Sequence, residues 1–297
     1  MKNFLMGILV STMVFLLPLT AQSFTINLME DWQLNLSNDG NNIGTIVADE
    51  MLIKGVTLDN SSPYPEINGV SPGGDFEILS TFYTSGFQNN DTPTEDFDIN
   101  SDYELTLVLT GAGNYVSKLD APNDLYFTST TLEFFVDTSI IDYGSTTDFY
   151  GADNGIKIAE FELFDGSGTM DFRDYPDSTA DVNGSTDITL ISTFLEEGYW
   201  LDESGNDMSL YQENTTLVFG ITDMNNDFKD NPNSTQISEF TAEGLTYTED
   251  NIFDFFVTND GSFGIGTAIV PEPATFLMFG TGLLCLSAIS RKKIYNI

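Results

Sequence analysis

The chain has 297 residues, with 46 acidic side chains against 9 basic ones, no histidine and a single cysteine. Without histidine there is no Ser-His-Asp or Cys-His catalysis and no imidazole base near neutral pH, and one cysteine makes neither an internal disulfide nor a Cys-rich metal cluster. A net charge of −37 repels phosphate backbones and excludes nucleic acid as a partner, while 24 Phe and 12 Tyr in a chain that is 41% hydrophobic require a folded core.

Residues 1–23 read as a secretory signal peptide. Lys2 supplies the positive start, residues 4–19 are almost wholly apolar, and Ala21-Gln22-Ser23 offers a small-x-small cleavage pattern, so the mature chain begins at Phe24. An uncleaved anchor is the alternative, for which this apolar run is short.

Residues 24–269 form the body. Residues 24–270 hold 45 acidic residues and five basic ones (Lys54, Lys118, Lys157, Arg173 and Lys229), a net charge of −40. The acids are spread along the chain, which favours a solvated acidic surface over a disordered tail. Strands are expected at 24–28, 44–58 and 76–82. Leu105, Leu107 and Leu109 then alternate with Glu104, Thr106 and Thr110, the period-2 pattern of a half-buried strand. Leu132, Phe134 and Val136 repeat it within 125–137. Further strands are expected at 156–164, 188–194, 215–222, 238–247 and 252–257. Turns are expected at Asn38-Asp39-Gly40, Pro72-Gly73-Gly74, Asp165-Gly166-Ser167-Gly168 and Asn183-Gly184. The pattern predicts an all-β body, an antiparallel β-sandwich or jelly-roll-like fold. Residues 75–87 (DFEILSTFYTSGF) echo residues 187–199 (DITLISTFLEEGY), and Thr106-Leu107-Val108 echoes Thr216-Leu217-Val218. The body is therefore either two similar halves or one sandwich with two similar hairpins.

Two acidic loops space oxygen ligands as Ca²⁺ prefers: Asp223, Asn225 and Asp227, and Asp98, Asn100 and Asp102. Neither has the sixth-position glycine of an EF-hand; Phe228 and Tyr103 stand there. Solvated turns are the alternative, and no other cofactor is indicated. Glu196-Glu197 is the best carboxylate pair for glycoside hydrolysis, although nothing fixes a second carboxylate opposite it. The neighbouring Tyr199 and Trp200 would equally serve a sugar-binding surface by stacking on pyranose rings.

At the C-terminus Val270-Pro271-Glu272-Pro273 precedes an uncharged run, 274–290, and then Arg291, Lys292 and Lys293. Seventeen apolar or small residues suit a short transmembrane helix, Pro273 suits its first turn, and the basic cluster stays cytoplasmic. Cys285 lies within this segment as a small apolar residue.

This tripartite arrangement at 270–297 resembles the PEP-CTERM sorting signal of Gram-negative bacteria, with Pro271, Glu272 and Pro273 matching its motif residue by residue. The resemblance implies an inner-membrane-tethered precursor, transiently held by the C-terminal helix, that an exosortase-like enzyme processes for export to the cell surface or extracellular matrix. The body resembles the flocculation-associated, PepA-like group of such proteins at Val47-Ala48-Asp49, at 153–160 with Phe164-Asp165-Gly166-Ser167-Gly168, and at 187–199. Phe-Asp replaces that group's usual Leu-Ser before Gly166. The resemblance implies a non-enzymatic role in cell aggregation (flocculation or biofilm) with extracellular polysaccharide as partner. A secreted polysaccharide-degrading enzyme and a calcium-stabilised adhesin are the alternatives.

Overall fold

The computed structural model describes residues 25–38, 40, 43–63, 72–94, 102–118, 121–138, 143, 151–171, 183–210, 215–223, 234, 237–238, 241, 245 and 254–269. The signal peptide and the sorting signal with its expected helix lie outside the described residues. Among those described, no helix is long and apolar enough to cross a membrane. The chain divides into two units, one formed by its ends (Met1–Ile26 with Ala268–Ile297) and the body, Asn27–Thr267.

The described elements are strands: β1 (Thr25–Leu28), β2 (Trp32–Asn35), β3 (Thr45–Ala48), β4 (Glu50–Pro63), β5 (Gly73–Asn89), β6 (Thr92–Pro93), β7 (Glu104–Val116), β8 (Asn123–Asp137), β9 (Ile156–Asp171), β10 (Asn183–Leu195), β11 (Trp200–Leu201), β12 (Thr215–Asp223) and β13 (Asp254–Ile269). The eight long strands pair antiparallel in chain order, β4-β5-β7-β8-β9-β10-β12-β13. β13 then returns to β4, from Asp254 opposite Asn60 to Phe263 opposite Met51. The sheet is therefore closed. The all-β antiparallel body is as the sequence predicts, but the sandwich or jelly-roll arrangement is replaced by an up-and-down barrel. Closure leaves no exposed edge among its long strands, which two facing sheets would have had to protect.

Alternation decides what lies inside. Leu105, Leu107 and Leu109 of β7, Leu132, Phe134 and Val136 of β8, Ile158 and Phe161 of β9, and Ile188 and Leu190 of β10 share one buried core. The described outer wall carries Asp75, Glu77, Glu133, Lys157, Glu160, Glu162 and Asp187. A core inside and charge outside is the reverse of a lipid-facing barrel wall. A small sheet, β11-β2-β3, joins the same core at one end of the barrel. Its Trp32 lies near-parallel to Phe263 at 6.3 Å and 5.9 Å from Trp200. Phe134 makes T-shaped contacts with Trp200, Phe161 and Phe263, with centroids 5.1 to 5.8 Å away. Edge-to-face packing at these separations suits the ring quadrupoles.

A second apolar cluster lies outside the wall. Leu58, Leu79, Val108 and Phe135 are covered there by Ala152, Leu245 and Tyr143. Tyr143 anchors the cover through its hydroxyl to Thr81 O (3.0 Å) and its amide to a Glu104 carboxylate oxygen (2.8 Å), and Thr106 Oγ1 donates to Ala152 O (2.6 Å).

Two further expectations are corrected. The strand expected at 238–247 is helical at Ser238 and Thr241, where Thr241 Oγ1 donates to Ile237 O (2.6 Å). Apolar residues at Ile237, Phe240 and Leu245 have a spacing nearer the helical period than the alternation of a strand. The glycine clusters at 165–168, 183–184 and 73–74 belong to strands β9, β10 and β5 and make no turns. Glycine serves close approach there: a Cβ on Gly168 would lie 2.5 Å from Ser185 O and 2.7 Å from Thr186 Cγ2. Gly55 does the same in β4, where a Cβ would collide with Thr81 O and lie 2.6 Å from the ring of Phe82.

Phe134→Ala is expected to remove the hub of this aromatic core and destabilise the body by about 3–5 kcal/mol, read as a lower midpoint in urea.

Candidate functional surface

The alternation that turns leucines inward turns hydroxyls outward. On β7, Thr110 and Ala112 face out, and the register sets Thr110 opposite Thr131 and Ala112 opposite both Ser129 and Glu77. Short side chains on three neighbouring strands leave a shallow groove of about 240 Å³, lined by these residues and bounded by Leu245. Its lining mixes the hydroxyls of Thr110, Ser129, Thr130 and Thr131 and the exposed Glu77 carboxylate with apolar surface from Ile78, Ala112 and Leu245. It lies beside the covered apolar cluster, which holds Leu245 in place.

Two aromatic side chains stand on the same wall. Tyr126 of β8 is 46% exposed and Phe164 of β9 is 47% exposed. Tyr126 sits in a cross-strand row with Asn114 of β7 and Ser167 of β9. Its hydroxyl donates weakly to Asp124 Oδ2 (3.5 Å), while Lys118 Nζ pairs with Asp124 Oδ1 (2.6 Å). The row and the groove together give a strip of hydroxyls, amides and exposed rings across β5, β7, β8 and β9.

Beyond the groove, Lys157 Nζ bridges Glu133 (2.9 Å) and Glu160 (2.6 Å) and lies 5.8 Å over the ring of Phe194. Hydrogen bonds to Glu160 and then Glu133 raise the Lys157 ammonium above its usual range. The bond from Lys157 holds the Glu160 carboxyl below the usual carboxylate range. The depressed carboxylate stabilises the fold above its unfolded pKa, and that contribution is lost as pH falls through the folded value. The raised ammonium stabilises it up to strongly alkaline pH, where the lysine discharges.

The residues expected to act fall elsewhere. Tyr199 and Trp200 are 3% and 0% exposed, and Trp200 Nε1 donates to Ile158 O (3.0 Å). They are core residues and present no face on which a sugar could stack; this corrects the sugar-binding expectation, because Trp200, on β11 of the small sheet, and Tyr199 beside it are packed into the shared core. Glu196 and Glu197 form that turn, with Glu196 N bonded to Ile158 O (3.0 Å) and Glu197 O accepting from Asn38 Nδ2 (2.6 Å). Of the calcium candidates, Asp102 is an exposed turn residue before β7 and Asp223 ends β12. Asp98, Asn100, Asn225 and Asp227 lie outside the described residues, as do Val270, Pro271, Glu272, Pro273, Arg291, Lys292 and Lys293. Among the described residues no three acidic or cysteine side chains are grouped to hold a metal ion. Tyr126, Phe164 and the groove hydroxyls were missed, although strand parity marks them. Tyr126 lies between the inward Leu125 and Phe127, and Thr110 follows the inward Leu109.

Comparison with known proteins bears on the C-terminal end. The model of the PEP-CTERM protein-sorting motif matches residues 270–292. No curated protein matches the chain. A solved structure, Ail, the attachment invasion locus protein of Yersinia pestis, aligns with 7% identity over 74% of this chain and 97% of its own, with a TM-score of 0.18; a score that low carries no argument. The sorting motif makes the chain an exosortase substrate, a membrane-anchored precursor exported in a Gram-negative bacterium.

In a double-mutant cycle, Lys157→Met and Glu160→Gln are expected to couple by about 0.2–1 kcal/mol at pH 7. The coupling should vanish as pH falls below the Glu160 pKa, measured by urea unfolding across pH. Pro271→Ala with Glu272→Ala is expected to leave the precursor in the inner membrane, measured by fractionation and immunoblotting.

Proposed function

We propose that this exported, exosortase-processed chain is a non-enzymatic surface or matrix protein that binds extracellular polysaccharide and thereby supports cell aggregation. The observation that carries the reading is the hydroxyl-lined groove beside exposed Tyr126 and Phe164 on a rigid barrel wall. Pyranose rings present apolar faces to aromatic side chains and hydroxyls to groups such as Thr110, Ser129, Thr131 and Glu77. A groove this shallow fits an extended chain lying across the strands better than a small molecule enclosed on all sides.

Charge selects the class of polymer. A body of net −40 repels a polyanion over a Debye length of about 8 Å at physiological salt. A neutral polysaccharide meets no such barrier, whereas an acidic one needs divalent cations to bridge the like charges.

The test measures retention of the released body on a neutral glucan and on alginate, each with calcium or with EDTA. Retention on the neutral polymer in EDTA is expected, and Tyr126→Ala or Phe164→Ala is expected to weaken it about fivefold to tenfold, roughly 1–1.4 kcal/mol. Retention unchanged when Tyr126→Ala and Phe164→Ala are combined would remove this surface from the reading. New reducing ends in the polymer, lost in Glu196→Gln, would instead make the protein a hydrolase. Deleting the gene is expected to reduce aggregation of the cells, scored by settling rate.

A further inference from the structure

The final strand has two partners in succession. Up to Phe263, β13 lies against β4; beyond it β4 has ended, and residues 264–267 run between β12 and the start of the body. Ile265, Gly266 and Thr267 face Leu217, Thr216 and Thr215. On the other side Met29 N donates to Ile265 O (2.9 Å), and a Cβ on Gly266 would lie 2.6 Å from Asn27 O. The segment is thus paired with β12 on one flank and, through Ile265 O, held by Met29 on the other. The sorting motif begins at residue 270, immediately after β13 ends at Ile269. Fully extended, the chain from Thr267 to Val270 reaches only about 10 Å, about the spacing between packed sheet layers.

An enzyme that binds a peptide in extended form does so by main-chain hydrogen bonds, as an added strand would. Residues 264–267 cannot offer those donors and acceptors while the barrel uses them. We propose that the processing enzyme takes the end of β13 as part of its substrate, and that residues 264–267 leave β12 and the 27–29 segment before the tail is cut. The inference rests on the sorting reading. Gly264 and Gly266 suit the step, since glycine weakens a strand interior, and Ile265 between them is the buried side chain that has to leave the core.

The experiment locks the segment in place. Thr215 and Thr267 are directly opposite, a geometry in which antiparallel Cα atoms lie about 4.5–5.5 Å apart and cysteines can be bridged. Full-length precursor carrying Thr215→Cys, Thr267→Cys and Cys285→Ser is made in cells with the cognate exosortase, and processing is followed by pulse-chase with and without dithiothreitol. The oxidised precursor is expected to be processed at least about tenfold more slowly than the reduced one. Inserting ten Gly/Ser residues between Ile269 and Val270 is expected to restore processing in the oxidised form. Equal rates in oxidised and reduced precursor would overturn the proposal. So would a block that the insertion fails to relieve, because its cause then lies away from the tether. Glu272→Ala in the reduced precursor is the control for the sorting reading itself: processing that persists there defeats that reading, independently of the lock.

Discussion

Everything in the body depends on one ladder, the pairing of Asp254–Phe263 with Met51–Asn60. It joins segments about two hundred residues apart and converts an open meander into a barrel. Without it the inward leucines and phenylalanines would form one face of a curved sheet with nothing opposite. With it, each strand's apolar face meets that of the strand across the lumen. The loop entropy of so distant a contact opposes its early formation, so the ladder is worth making only when the rest of the sheet is in place to reward it. The aromatic centre supplies that reward locally: Phe263, on the closing strand, packs against Phe134 of β8 and Trp32 of β2. The small sheet, the closing strand and the barrel interior are therefore one cooperative unit.

The same closure explains how the outer wall can carry a groove. A barrel wall gets its rigidity from hydrogen bonds along both edges of every strand, and needs no bulky side chains outside. Thr110, Ala112, Ser129 and Thr131 can stay small without loss of core, because the apolar residues that hold β7 and β8 point the other way. Where the outer wall does become apolar, at Leu58, Leu79, Val108 and Phe135, the chain covers it with Tyr143, Ala152 and Leu245. The groove begins at the edge of that cover.

Much of this was legible in the sequence, and the failures have physical causes. The leucines at 105, 107 and 109 and the run ending at Val136 marked β7 and β8 correctly, because alternation is a local property. Whether alternating strands make two sheets or one closed one is decided by which strand meets β4, and no local pattern encodes that partner. The echo of 75–87 in 187–199 falls on β5 and β10, four places apart in the eight-strand ring, with the end of the second copy in the turn after β10. Glycines at 166 and 168 looked like a turn because glycine is permissive in turns; here it makes room for the neighbouring strand. Trp200 looked like a sugar platform because tryptophan serves both roles, and only burial separates them. The groove hydroxyls, being ordinary serines and threonines, carry no signal until parity and register place them in one row.

The charge of the body gains another meaning from the order in which the strands leave the secretion channel. β13 emerges last, so β4 keeps an open edge from its own exit until the end of export and β12 is open until β13 arrives, each able to pair with the edge of another chain. A chain of net −40 meets its copies with strong mutual repulsion, and short-range strand pairing between them is kept out of reach. The acidity that marks the finished surface is thus a colloidal safeguard for the unfinished barrel.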